Sequence, residues 1–295
     1  MELKTSLNRD YLGHEYEPIV YNVTEDAIQK YASAYGDTNY RYYDTSMAPP
    51  IFPVVYELPL LEKAWHEEGL HGGSEEVKRN VLMLVHGEQQ MQFFNPIKPG
   101  DTITAKAHVS GIEDRGSGET VNFNVVSSNQ DDKKVAESEW SLFIRGIGSG
   151  KRPPKKPSSA AGAVDAPEPQ LAFRTILRVS NDITYRYSEA SNDHNPLHID
   201  EKVAQAAGLK GIIVHGLCTM AMSMKGLIDS YLDGDPTKLA RLGVRFSSPV
   251  YPGDTLVLDG WEMGDKNGRT AIKFEVHRKE DGVKVIKGGY AEVTI

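Results

Sequence analysis

The chain has 295 residues, 39% apolar and 25% charged, the composition of a folded protein rather than a disordered, collagenous or coiled-coil one, and its length suits two modest domains. With 33 Lys and Arg against 41 Asp and Glu, the net charge of −8 gives no support to a nucleic-acid-binding surface, and no apolar run reaches the roughly 18 residues of a membrane span. A single cysteine, Cys218, closes no intrachain disulfide, and the opening Met1-Glu2-Leu3-Lys4-Thr5-Ser6 lacks an apolar leader, so a reducing, cytoplasmic setting is expected.

In chain order, residues 24–34 read as a helix capped by Thr24, with Ala27, Ile28 and Tyr31 inward. Asp37-Thr38-Asn39 follows, then His86-Gly87-Glu88-Gln89 and the loop Pro96-Ile97-Lys98-Pro99-Gly100-Asp101. Residues 101–113, 120–128 and 134–144 read as three strands of an antiparallel meander, with Val121, Phe123 and Val125 on one face. The stretch 146–169, rich in Pro, Gly, Ser and Ala and without apolar period, reads as a connector, although a long surface loop within one domain has the same composition. Its basic pairs, Lys151-Arg152 and Lys155-Lys156, read as solvated flank or as partners of a phosphorylated ligand. The expected organisation is a domain over 1–145, a linker over 146–170 and a second domain over 171–295.

The second half opens with Asp182-Ile183-Thr184 leading into a helix over 185–191, with Thr184 as its cap. Then comes Asp193-His194-Asn195-Pro196-Leu197-His198-Ile199-Asp200. Pro196 fixes φ and disfavours helix at Asn195, so the chain must turn, and a turn can aim a carboxylate, an amide and an imidazole into one cleft. Imidazole titrates near neutrality, so Asp193 with His198 suits acid–base work. The blander alternative makes Asp193 and Asn195 turn residues and His198 a packed histidine. The run fails as a calcium loop, because His198 stands at its sixth position and Ala204 at its twelfth. Nothing in the spacing of His194, His198 and His215 requires zinc, and no metal is expected.

Further on, an apolar run ends at His215-Gly216, where a long helix begins with Leu217, Met220, Ala221, Met224, Leu227, Ile228 and Tyr231 on one face. The first N–H groups of a helix lack internal partners, and Gly216 leaves them open to a ligand's developing negative charge or is simply a tight helix entry. Gly226 in mid-helix suggests close packing. Strands over 254–263, 269–278 and 283–295 close the chain, with Thr270, Ile272, Phe274 and Val276 alternating onto one face. Three features of the first half recur in order: Asp37-Thr38-Asn39 as Asp193-His194-Asn195, Pro96 to Thr102 as Pro249 to Thr255, and His86-Gly87 as His215-Gly216. Duplication follows. Glycine-rich nucleotide loops and a Gly-x-Ser-x-Gly elbow are missing, and Cys218 reads as buried filler.

Asp193 to Asp200, followed by Val214-His215-Gly216-Leu217 and Pro249-Val250-Tyr251-Pro252-Gly253-Asp254, resembles the MaoC-like, (R)-specific enoyl-CoA hydratases, and the first half resembles their divergent amino-terminal hot-dog domain. The resemblance implies an α+β double hot-dog, two curved antiparallel sheets each wrapped round a long helix. It implies reversible hydration of trans-2-enoyl-CoA to (R)-3-hydroxyacyl-CoA without cofactor, the CoA thioester being the substrate. Carried over by position, Asp193 and His198 become the catalytic pair, Asn195 orients the site, and the Gly216 N–H binds the thioester oxygen. Ser223 is placed near Asp193, and Arg245, then Lys210, are the candidates for the CoA phosphates. Asn192 stands where the family often has Gly. Tyr40 and Tyr42 replace Pro196 and His198 in the first half, which implies one active site per chain and room for a long or bulky acyl group. Two readings compete: a hot-dog acyl-CoA thioesterase, and a catalytically silent acyl-CoA-binding or assembly subunit. A homodimer and a monomeric pseudo-dimer both stay open.

Overall fold

The computed structural model describes residues 6–44, 47–151 and 170–295. Most of the expected connector, including Arg152, Lys155 and Lys156, lies outside the described residues, and Lys151 is exposed. The first half contains β1 (Ile19–Asn22), α1 (Glu25–Ala34), α2 (Val54–Trp65), α3 (Ser74–Met83), β2 (Leu84–Phe93), β3 (Thr102–Asp114), β4 (Gly118–Ser128) and β5 (Lys134–Arg145). The second contains β6 (Leu171–Arg178), α4 (Ile183–Ser191), α5 (Gly216–Tyr231), β7 (Leu239–Phe246), β8 (Thr255–Asp265), β9 (Thr270–Arg278) and β10 (Lys284–Val293).

The strands form one antiparallel ten-stranded sheet, ordered β1-β3-β4-β5-β2-β7-β10-β9-β8-β6. Read outward from the β2–β7 junction, the two halves run in the same order, as expected of a duplicated hot-dog. The two hot-dog sheets are thus joined edge to edge within one chain, with Glu88 opposite Arg245 and Gln92 opposite Arg241. This pairing satisfies backbone groups that a free edge strand would leave open.

α5 packs on β6, β7 and β8, burying Leu217, Met220, Ala221, Met224, Leu227 and Ile228. Gly226 permits this approach: a Cβ there would stand 2.8 Å from Leu258 and 3.0 Å from both Leu177 and Thr175. α2 takes the corresponding place in the first half against β1 and β3. Thr24 caps α1 as expected, its hydroxyl accepting from the Ala27 N–H. Thr184 does not cap α4. That helix starts two residues earlier, so Thr184 lies inside it, fully buried, and Asp182 holds the cap position without a side-chain bond.

α1 packs on α4, and the Tyr31 and Tyr187 hydroxyls, 156 positions apart in sequence, meet at 3.0 Å in the core. Further backbone bonds recur in both halves: Val23 N–H to Asp101 O matches Val179 N–H to Asp254 O, and Ala48 N–H to Ile97 O matches Val214 N–H to Val250 O. By this register the counterpart of Gly216 is Pro50, not Gly87. The matching of His86-Gly87 with His215-Gly216 is therefore corrected, because the former pair lies within β2 and enters no helix. Among the described residues no helix is long and apolar enough to cross a membrane.

Candidate active site

α4 ends at Asn192, whose left-handed φ of 62° is one that asparagine tolerates better than most non-glycine residues. This reverses the chain. The Asp193 carboxylate then accepts the Asn195 N–H at 3.2 Å, and the Asn195 side chain accepts the Leu197 N–H at 3.1 Å, starting a short 3-10 turn over Pro196–His198. Asn195 is exposed and spends its carbonyl on this turn. It shapes the bend and makes no bond to the imidazole.

The bend carries His198 into the interior. Its Nδ1–H donates to Ile213 O at 2.8 Å, which leaves Nε2 as the free lone pair. Burial holds His198 below its ordinary pKa, against the opposing charge of Asp193, so the ring is neutral at neutral pH. Behind it stands His215, which the sequence reading did not place among the site residues. The two rings face each other with centroids 3.8 Å apart and planes 31° from parallel. The fully buried His215 donates from Nε2 to Asp193 O at 3.1 Å, and its Nδ1 has no partner. Burial, with His198 beside it, keeps this ring well below its usual pKa. Ser188 Oγ also donates to Asp193 O, at 2.7 Å, so two side chains hold the backbone that presents the carboxylate.

Asp193, His198 and His215 bring ligating atoms within 4.8 Å of one another. One nitrogen of each ring is already engaged, Nδ1 of His198 with Ile213 O and Nε2 of His215 with Asp193 O. Gly216, directly after His215, is the first residue of α5, and its N–H has no intrahelical acceptor. A Cβ at this position would meet the Phe246 ring at 3.2 Å. Phe246 in turn packs edge-on against His86 of the first half, with centroids 5.2 Å apart.

The remaining expected residues lie elsewhere. Ser223 is buried in α5 and donates to Thr219 O at 2.7 Å, so it is spent on its own helix and makes no bond to Asp193. Arg245 points to the face of β7 opposite Phe246 and is 70% exposed, 3.7 Å from Glu88. Lys210 is exposed in the turn before Gly211. Cys218 is fully buried, and burial raises its thiol pKa, so it is no nucleophile.

The first half repeats the turn without the imidazole. Asp37 accepts the Asn39 N–H at 2.9 Å, and Asn39 accepts the Arg41 N–H at 3.2 Å, as in the second half. Tyr42, buried, replaces the imidazole, and its phenol is pushed well above the usual range by burial. Pro50 replaces Gly216 and carries no N–H to offer.

A double hot-dog with an aspartate and two histidines gathered beside a helix N-terminus defines a class of protein, and comparison with known proteins identifies the family. The model of the MaoC like domain matches residues 163–284, and that of the FAS1-like dehydratase domain region matches residues 10–138. A Mycobacterium tuberculosis protein described as enoyl-CoA hydratase ChsH3 is 31% identical over 70% of this chain and 68% of its own. The chain belongs to the MaoC-like dehydratase family. A Dictyostelium discoideum protein described as probable enoyl-CoA hydratase 2 is 28% identical over 95% of this chain and 94% of its own. The crystal structure of a MaoC-like dehydratase from Phytophthora capsici superimposes with a TM-score of 0.77 at 26% identity, covering 97% of this chain and 98% of that one.

Mouse, fruit-fly, Neurospora crassa and yeast relatives are named as peroxisomal multifunctional enzymes or peroxisomal hydratase-dehydrogenase-epimerases, and the chain spans 21% to 34% of their length. These peroxisomal names belong to those relatives, and they overturn the cytoplasmic expectation. That expectation leaned on a lone cysteine, which speaks only against a disulfide and does not single out one compartment.

Proposed function

We propose that the chain adds water reversibly to trans-2-enoyl-CoA to give (R)-3-hydroxyacyl-CoA, with one active site per chain. The catalytic half is residues 171–295. Residues 1–145, joined to it through 146–170, form a non-catalytic half that walls the pocket and leaves room for a long or bulky acyl group. The observation that carries this reading is the turn at Asn195, which sets the Asp193 carboxylate beside the neutral His198 at the start of α5.

As hydroxide equivalent adds to the β carbon, negative charge passes to the thioester oxygen. The Gly216 N–H and the helix N-terminus stabilise that charge. Asp193 and His198 hold the water between them. With Nδ1–H committed to Ile213 O, His198 offers Nε2 as an acceptor for a water proton, and the pair returns a proton to the α carbon. Net addition is one water, and no cofactor takes part. The CoA phosphates are assigned to the solvent-facing Lys210 and Arg245.

The test is loss of enoyl-thioester conjugation with enoyl-CoAs, scored together with free thiol. D193N and H198A should each lower kcat by about 100-fold or more, in the range expected for a general acid or base. Thiol release in step with substrate loss would make the protein a thioesterase, and equal rates for wild type and both variants would remove the pair from the chemistry.

A further inference from the structure

The motif His86-Gly87-Glu88-Gln89 plays no part in the reaction as derived so far, yet its placement in β2 is specific. β2 pairs with β5 so that His86 faces Leu142, Glu88 faces Ser141 and Gln89 faces Trp140. Two residues of β5 therefore oppose three of β2, and Gly87 is the extra residue of a bulge. A bulge re-aims the side chain before it. Here it turns His86 onto the same inner face as the fully buried Gln89, while Glu88 turns outward toward Arg245.

The ring so aimed is held on three sides. Its face lies on Trp140, with centroids 4.9 Å apart and planes 8° from parallel. Its Nε2–H donates to Gln89 Oε1 at 3.0 Å. Phe246 packs against it with centroids 5.2 Å apart and planes 64° from parallel. Trp140 is fixed in turn by its Nε1–H bond to the buried Glu57 at 2.8 Å, and Glu57 also accepts from Ser138 at 2.8 Å. Glu57, Ser138, Trp140, His86 and Gln89 all come from the first half, while Phe246 and Gly216 come from the second.

We propose that His86 is a positioning residue for the reaction: its ring, packed on Trp140 and against Phe246, holds Phe246 beside Gly216, where a Cβ would meet the ring at 3.2 Å, and so fixes the shape of the thioester site. The inference rests on the reading of Gly216 as the oxyanion donor. It gives the non-catalytic half a stated part in the chemistry, supplied across the β2–β7 seam.

The experiment is steady-state hydration by the full chain carrying His86→Leu, His86→Phe, Phe246→Leu and the double change His86→Leu with Phe246→Leu, with thermal unfolding measured for each. His86→Leu, which loses the flat ring, should lower kcat at least tenfold with KM within threefold. His86→Phe, which keeps the flat ring, should stay within threefold of wild type. The double variant should be no slower than the slower single one, because both changes release the same ring. If His86→Leu does not fold, His86→Gln carries the same expectation. A His86→Leu enzyme with wild-type kcat, a loss confined to KM, a His86→Phe enzyme as slow as His86→Leu, or losses that multiply in the double variant would each overturn the proposal. These results leave the functional reading standing; a wild type that hydrates no enoyl-CoA would overturn both.

Discussion

Glu57 is a carboxyl group with no exposed surface, and burial pushes its pKa up to about 7 in spite of the two hydrogen bonds it accepts. In the folded chain it keeps its proton up to that pH, whereas in the unfolded chain it ionises near 4.5. The folded state therefore binds more protons in this window, and its stability falls as pH rises from about 4.5 to 7, then levels. His86 acts in the opposite sense. Burial lowers its pKa to about 4 from 6.5, so its contribution to stability grows as pH rises through that interval. The two slopes partly cancel in the wild type, which makes a difference measurement necessary. Glu57→Gln keeps the shape and can still accept from Trp140. Its stability advantage over wild type in urea titrations should widen by about 3 kcal/mol between the two pKa values and stay constant above them. An advantage independent of pH would show that Glu57 is not protonated in the native core.

Among the elements that the amino-acid pattern conceals, α2 has the plainest reason. Its segment carries Pro49, Pro50, Pro53 and, inside the helix, Pro59. Proline at that position supplies no N–H to the carbonyl four residues back, at Val55. The carbonyl is not left bare: Asn192 Nδ2 donates to it at 3.2 Å from the turn that carries Asp193. Asn192→Asp tolerates the same backbone and cannot donate, so it should cost about 1–2 kcal/mol in urea unfolding. In a Pro59→Ala background, where residue 59 regains its N–H, the cost should shrink. An equal cost in both backgrounds would mean that the amide does not replace the missing helix bond. The same contrast explains what was legible in advance. β3 to β5, β8 to β10, α1 and α5 announce themselves through local period, and the Asp193 to His198 turn through Pro196. Local period does not report partners from distant segments. For that reason α2 behind its prolines, His215 stacked on His198, and His86 brought to Phe246 by a bulge and a strand pairing went unread. Repetition of His-Gly misled for a related reason, since two residues match by chance where a register of backbone bonds does not.

On the scale of the whole molecule, the two halves share a sheet and a core. Buried side chains from both halves form one contiguous apolar cluster, crossed by the Tyr31–Tyr187 bond. Further ties cross the seam: Arg186 to Ser33 O at 2.8 Å, Arg241 to Gln90 at 2.7 Å, and Asn39 to Gly234 O at 2.8 Å. Halves that met only through a linker would unfold as separate units, but a shared core makes unfolding cooperative across the seam. Trp140 reports on the first half, where it is buried against Glu57 and His86, and Trp261 reports on β8 in the second. In single-tryptophan versions of the chain that retain one or the other, the two fluorescence transitions in urea should share one midpoint. Glu57→Leu, which leaves the Trp140 N–H without its acceptor, should then lower the midpoint seen by Trp261 as much as that seen by Trp140. A variant that moves only the Trp140 transition would show that the halves fold apart. The wall that His86 and Phe246 build at Gly216 would then depend on docking rather than on a single fold.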